Sequence, residues 1–173
     1  MKLIWTHDDP SERTPPIIFL AGPTPRDSET PSWRPEAIAL LSELGFTGSV
    51  CIPEDPPNRS ERSPSFDSVA QIEWEERCLK MADVIVFWVP RELKKMPAFT
   101  TNIEWGRWHR SGKVVLGHPA GAPHTAYMDY YAKKEGVPLT YDLRGTLWDA
   151  LALIEVHHKR TLDAIRVMQP HRE

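Results

Sequence analysis

Two glutamates in this chain stand where covalent or proton-transfer chemistry could be done. Thr101-Asn-Ile-Glu104 opens a helix after the apolar run Val84-Ile-Val-Phe-Trp-Val89 and an intervening polar loop. A run apolar at every position suits a parallel strand covered on both faces. In open parallel sheets, ligands bind in the crevice at the carboxyl ends of the strands. Glu104 is placed there, and a helix N-terminus favours its ionised form, the state a nucleophile needs. The same letters also read as a capping box, with Thr101 as N-cap and Glu104 as its reciprocal partner. Capping and catalysis therefore compete for the same oxygens.

Gln71-Ile-Glu-Trp-Glu75 sets an amide and a carboxylate one turn apart on one helix face. At about 100° per residue, Ser68, Ile72, Glu75, Leu79 and Ala82 share that face with Gln71 and Cys78 beside them, while Glu73, Glu76, Arg77 and Lys80 fall opposite. A carboxylate in the packing face needs a partner or a function. Either Gln71 and Glu75 form a buried hydrogen-bonded pair, or Glu75 handles protons or substrate with a pKa raised by apolar surroundings.

Gly22-Pro-Thr-Pro-Arg26 ends the first strong strand. Gly22 lets backbone approach a ligand closely, and Pro23, Thr24 and Arg26 follow it into the same crevice. Two prolines remove two N–H donors, so a phosphate cradle there would rest mainly on Arg26, with Arg34 and Arg91 as further candidate cations. The histidines show no metal-ligand spacing, there is no Gly-x-Ser-x-Gly elbow, and Cys51 reads as core. Cys51 and Cys78 are the only cysteines, which excludes a disulfide scaffold or cysteine zinc cluster and makes a cytoplasmic location the default.

The elements that must position these groups alternate. Strands are expected at 2–5 (a possible edge strand within an amino-terminal extension, 1–15), 16–21, 50–53, 84–89, 114–116 and a peripheral 137–141. Helices are expected from an N-cap at Ser32 to Leu44, over 68–81, from Thr101, over 125–135, and over 146–168 with Leu147, Ala150, Leu151, Ile154, Leu162 and Ile165 as its stripe. The charged, proline-rich stretch from Glu54 to Pro64 reads as a functional loop. Together these give one α/β domain over 1–173, doubly wound, flavodoxin-like and Rossmann-like, with about five parallel strands in the order 2-1-3-4-5 and helices on both faces.

The 173 residues suffice for one real core. A net charge of -3 argues against a nucleic-acid backbone as partner and leaves small molecules. The apolar opening Leu3 to Trp5 is too short for a membrane segment. Seventeen prolines and seven tryptophans suit stiff loops around a walled pocket for a ring.

Ile18-Phe-Leu-Ala-Gly-Pro23, Trp74-Glu75, Ala82-Asp83 and Asn102-Ile-Glu-Trp-Gly106, taken in order, resemble the nucleoside 2-deoxyribosyltransferase superfamily, in its transferase-like branch. The resemblance covers roughly residues 16 to 120. It implies cleavage of the N-glycosidic bond of a nucleoside or nucleotide, with Glu104 as nucleophile and Glu75 as the sugar-binding and acid/base carboxylate. It implies no metal or organic cofactor, and a homo-oligomer that often completes the site. On this reading Trp33, Trp74, Trp88 and Trp105 are candidates for stacking on the base, and Gln71, Thr101 and Asn102 for holding sugar hydroxyls. Ala98 stands where the family carries a polar residue, which keeps open a non-catalytic nucleoside- or nucleotide-binding protein on the same fold. A glycohydrolase of a nicotinamide dinucleotide is a second enzymatic alternative.

Overall fold

The structure, a computed structural model, describes residues 1–6, 8–57 and 68–168, with side chains described through 164 apart from Ser68. The stretch expected as a functional loop, Glu54 to Pro64, lies largely outside the described residues, as does the Ile165 side chain. Apolar runs become the strands β1 (Lys2–Trp5), β2 (Ile17–Ala21), β3 (Ser49–Ile52), β4 (Val84–Trp88), β5 (Val114–Gly117) and β6 (Leu139–Thr140). Between them lie the helices α1 (Arg34–Glu43), α2 (Ser68–Met81), α3 (Phe99–Trp108), α4 (Ala126–Glu135) and α5 (Leu143–Met168).

The strands form one six-stranded sheet in the order β1-β3-β2-β4-β5-β6, every pairing parallel. Set β1 aside and the order is the expected five-stranded one. The amino-terminal extension supplies the sixth strand, pairing Lys2 with Ser49 through Trp5 with Ile52 at the sheet's edge. Strands β2 to β5 are buried at every position because both faces are covered. Phe19, Cys51, Ile85, Phe87 and Leu116 point into one layer with residues of α2, α3 and α4. Ile18, Leu20, Val50, Val86 and Val115 point into the other with α1 and α5.

Local chemistry sets the ends of these elements. Lys113 Nζ donates to the carbonyls of Leu79, Lys80 and Ala82 at 2.9, 3.0 and 2.8 Å, satisfying the open C-terminus of α2. Asp83 accepts the Ile17 N–H at 2.7 Å, tying the start of β2 to the start of β4. Helix α1 begins at Arg34 with Trp33 at its N-cap and no side-chain cap. The expected N-cap, Ser32, lies one residue before that position: its hydroxyl oxygen accepts the Arg34 N–H at 3.2 Å while its proton goes to the Glu54 carboxylate, at 2.9 and 2.8 Å from the two oxygens. On α2 the inward face is centred on Trp74 and Cys78, and Ile72, expected inside, is 57% exposed. The sheet beneath is covered by the larger indole, which rotates Ile72 toward solvent. The late α5 stripe residue Leu162 is likewise exposed, because the helix runs on past the sheet it packs against.

The chain reverses its progress across the sheet between β2 and β4, and the loops leaving these strands meet there. A Cβ on Gly22 would lie 2.2 Å from the Trp88 carbonyl oxygen and 2.7 Å from the Trp33 ring, so only glycine permits the approach. Arg34 fixes the same edge. Its wholly buried guanidinium donates to the carbonyls of Leu20 (3.2 Å) and Gly22 (2.8 Å), to Thr24 Oγ1 (3.2 Å) and to Glu54. Loops after β2 and β3 are thereby held to the first turn of α1.

Two stability outcomes are expected by urea denaturation. Gly22→Ala should cost about 1–3 kcal/mol through overpacking, whereas Gly106→Ala, in a helix with nothing near the added methyl, should gain up to about 1 kcal/mol. Arg34→Met should cost about 3–5 kcal/mol by stranding Glu54, and Arg34→Met with Glu54→Leu should recover part of that loss.

Candidate active site

Glu104 lies on α3, the helix that follows β4. The helix starts at Phe99, earlier than the Thr101 start expected from the capping-box reading. Its N-cap is Ala98, held in the left-handed region at φ 61°, ψ 38°, and it makes no side-chain cap hydrogen bond. Thr101 is inside the first turn and 2% exposed. No capping box forms, so the competition for the Glu104 oxygens disappears. Glu104 makes no hydrogen bond or ion pair among the described residues.

The same shift corrects the expectation of an ionised carboxylate. Glu104 sits a turn beyond the helix's free N–H groups, where their stabilisation of an anion has fallen away. Burial, reinforced by the negative charge of Glu75 and opposed by Arg34, pushes its pKa up to about 8. Glu75, on α2, is also pushed up by burial, with the Gln71 hydrogen bond and Arg34 acting in the other direction. Gln71 Nε2 donates to Glu75 Oε1 at 2.7 Å, as the spacing of the two residues requires. Glu104 feels the negative charge of Glu75, and both carboxylates feel the cation of Arg34. A solvent-exposed ion pair between Glu76 and Arg107 bridges α2 and α3, the helices that carry the carboxylates.

The other expected site residues divide. Gly22 and Thr24 are at the crevice but are committed to Arg34, and the Pro23 carbonyl takes the Trp33 indole N–H at 3.1 Å. Arg26 is exposed, stacks over Phe99 at 5.3 Å, and its backbone N–H bonds to the Lys95 carbonyl at 3.0 Å. Asn102 Oδ1 accepts from Arg91. Arg91 also donates to the carbonyls of Pro123 (3.3 Å) and His124 (2.6 Å), so it latches the loop after β5 onto α3. Arg34 and Arg91, considered for phosphate, thus turn their guanidinium groups to the protein's own carbonyls and to the Thr24, Glu54 and Asn102 side chains. Trp33, Trp74, Trp88 and Trp105 are each no more than 7% exposed and act as core. Trp105 packs edge-on to Phe87 and stacks on His109, which leaves it no open face toward the crevice.

The Arg34–Glu54–Ser32 cluster is the part of the site that pattern reading missed. Its signal is an arginine in register with the buried Ala37 and Leu41 of α1, a charge on the wrong face for solvent. Around the Glu76–Arg107 bridge, α2 and α3 also expose Val69, Ile72, Phe99 and Ile103, from 57% to 72%. Among the described residues no group of three or more His, Cys, Asp or Glu side chains could hold a metal ion, and no helix is long and apolar enough to cross a membrane.

Comparison with known proteins gives two positive findings. Residues 15–122, more than half of the chain, match the family described as nucleoside 2-deoxyribosyltransferase like. Among solved structures, a 2-deoxyribosyltransferase from the psychrotolerant bacterium Bacillus psychrosaccharolyticus is similar, with a TM-score of 0.50 and 19% identity, covering 75% of this chain and 95% of that one. At that identity the likeness is one of fold. No curated protein matches significantly. With the matched stretch running from the start of β2 through the Glu104 helix to the loop after β5, the chain belongs to the nucleoside 2-deoxyribosyltransferase-like family.

Proposed function

We propose that this protein breaks the N-glycosidic bond of a nucleoside or nucleotide and passes the sugar to another base or to water, through a covalent glycosyl-enzyme on Glu104. The observation that carries the reading is a partly buried carboxylate with no internal partner, next to a second carboxylate, at the point where the sheet's connections diverge. Family membership supports deoxyribosyl transfer in general.

Glu104, once ionised, attacks the anomeric carbon as the bond to the base nitrogen breaks. The departing base takes a proton from Glu75 or from water. The glycosyl ester then yields to an incoming base nitrogen or to water, and the Glu104 carboxylate is regenerated. The raised pKa means that the free protein rests with Glu104 protonated at neutral pH, and a substrate that displaces that proton meets a poorly solvated, reactive anion. Gln71 holds Glu75 in place, and Asn102, with its oxygen engaged by Arg91, is left with its amide N–H groups for a sugar hydroxyl. Assembly into a homo-oligomer belongs to the same reading, supported by the exposed apolar residues of α2 and α3. A monomer mass by light scattering would remove it.

A non-catalytic nucleoside-binding protein is the second reading, and Ala98 favours it. This position, strained and buried, carries no polar atom beyond its backbone to hold a sugar.

Glu104→Gln should abolish release of free base while retaining nucleoside binding; undiminished turnover in that variant would end the covalent mechanism. In the wild type, kcat/KM should rise with pH through about 8 as Glu104 of the free enzyme ionises. Stability should run the opposite way. Between the ordinary value of 4.5 and about 8 the folded chain keeps a proton that the unfolded chain has released, so stability falls as pH rises through that window. Thermal melts should therefore show Glu104→Gln gaining on the wild type from pH 5 to pH 9; parallel curves would contradict the buried, charge-crowded carboxylate.

A further inference from the structure

The amino-terminal extension, which precedes the matched stretch, does more than add an edge strand. Between the end of β1, the 3-10 turn at Pro10–Glu12 and the first half of α2 lies a groove of about 380 Å³, within the size range of small-molecule sites. Thr6, Asp8, Pro10, Gln71, Trp74 and Arg77 line it. Trp74 and Pro10 are buried and give it apolar walls, and the Trp74 indole N–H is taken by the Asp8 carbonyl at 2.9 Å.

Asp8 and Gln71 bring acceptor oxygens to the groove, and Thr6 a hydroxyl that can donate or accept. Thr6 is 4% exposed and its Oγ1 is buried without a hydrogen-bond partner. A hydroxyl left in that state favours a ligand that completes it. Its backbone N–H is bound to the carbonyls of Ile52 and Glu54, so the side chain stands on a fixed strand end. Asp8 uses Oδ2 on the Trp5 N–H at 2.8 Å, and its Oδ1 has no partner among the described residues. Gln71 spends one amide N–H on Glu75, leaving its carbonyl oxygen and a second N–H. Against these acceptors Arg77 offers the one cationic donor in the lining. A phosphate would meet two aspartates, Asp8 and Asp9, in the same wall. A flat ring with exocyclic N–H donors and a ring-nitrogen acceptor matches both the walls and the polar rim.

We propose that this groove binds a heterocyclic base bearing an exocyclic amino group, with Asp8 as its specificity-determining residue, Thr6 as a hydroxyl partner for the ring edge and Gln71 as its link to Glu75. A base on the Gln71 amide lies one hydrogen bond from Glu75. The assignment rests on the glycosyl-transfer reading for its role in the reaction, but not for the binding itself.

Calorimetric titration of the Glu104→Gln protein with adenine against hypoxanthine, and cytosine against uracil, tests it. The amino bases should bind about tenfold more tightly than their oxo counterparts. Thr6→Val should weaken both members of each pair, and Asp8→Asn, which adds a donor on the exposed rim, should shift the preference toward hypoxanthine and uracil. Asp8→Asn serves also if Thr6→Val does not fold. Adenine binding that survives with the same sensitivity, in a protein whose Glu104→Gln variant still turns over, would uphold the groove and overturn only the covalent route. Equal affinities for the paired bases, unchanged affinities in both variants, or no binding of any base would overturn the groove. Parallel titration with 2'-deoxyadenosine tells whether the base enters free or on its sugar, and either source supports the site.

Discussion

A guanidinium buried away from water must find a counter-charge and hydrogen-bond acceptors, or the fold that buries it does not persist. Arg34 meets that demand with Glu54, the hydroxyl of Thr24 and the carbonyls of Leu20 and Gly22. In doing so it decides where the loops leaving β2 and β3 lie, and those loops form one side of the crevice. The close approach of Gly22 to Trp88 brings the loop after β4 to the same edge, so the sheet's switch point becomes a fixed frame. Arginine suits the position because its planar fork serves several acceptors at once and stays charged when buried.

That fixed cation also sets the electrostatics of the carboxylates. Glu104 is raised by burial and by Glu75, and Arg34 restrains the rise without cancelling it. The negative charge of Glu75 makes ionising Glu104 costlier than burial alone would. A group that is uncomfortable when ionised and uncommitted to any internal hydrogen bond is costly to stability. Such costs are characteristic of sites that act on a ligand.

Much of the fold was legible in the residues. All-apolar runs marked the central strands, and their alternation with helices dictated the doubly wound order. The edge strand Lys2–Trp5 was visible but its place beside β3 was not, because a short half-exposed strand carries no signal for its neighbour. Glu75 and Gln71 fell where helical spacing put them. Glu104 was found for a partly mistaken reason: the letters Thr-x-x-Glu imitate a capping box, but Phe99 and Thr100 already belong to the helix, begun by a left-handed Ala98 that no propensity rule foresees. Ile72 was misplaced because periodicity identifies a face only to within the width of one large side chain, here Trp74. The pairing of Arg34 with Glu54 escaped the sequence reading, which took Arg34 as a candidate phosphate cation, because it spans separate elements and no local pattern reports it.

The central claim is that Glu104 carries the sugar. Its most direct measurement is intact-protein mass spectrometry after brief incubation with a panel of 2'-deoxynucleosides, ribonucleosides and their monophosphates, followed by peptide mapping. The account predicts a sugar-sized adduct on Glu104 with at least one member, matched by released base. Base release with no adduct at Glu104, or an adduct mapped to another residue, would contradict it.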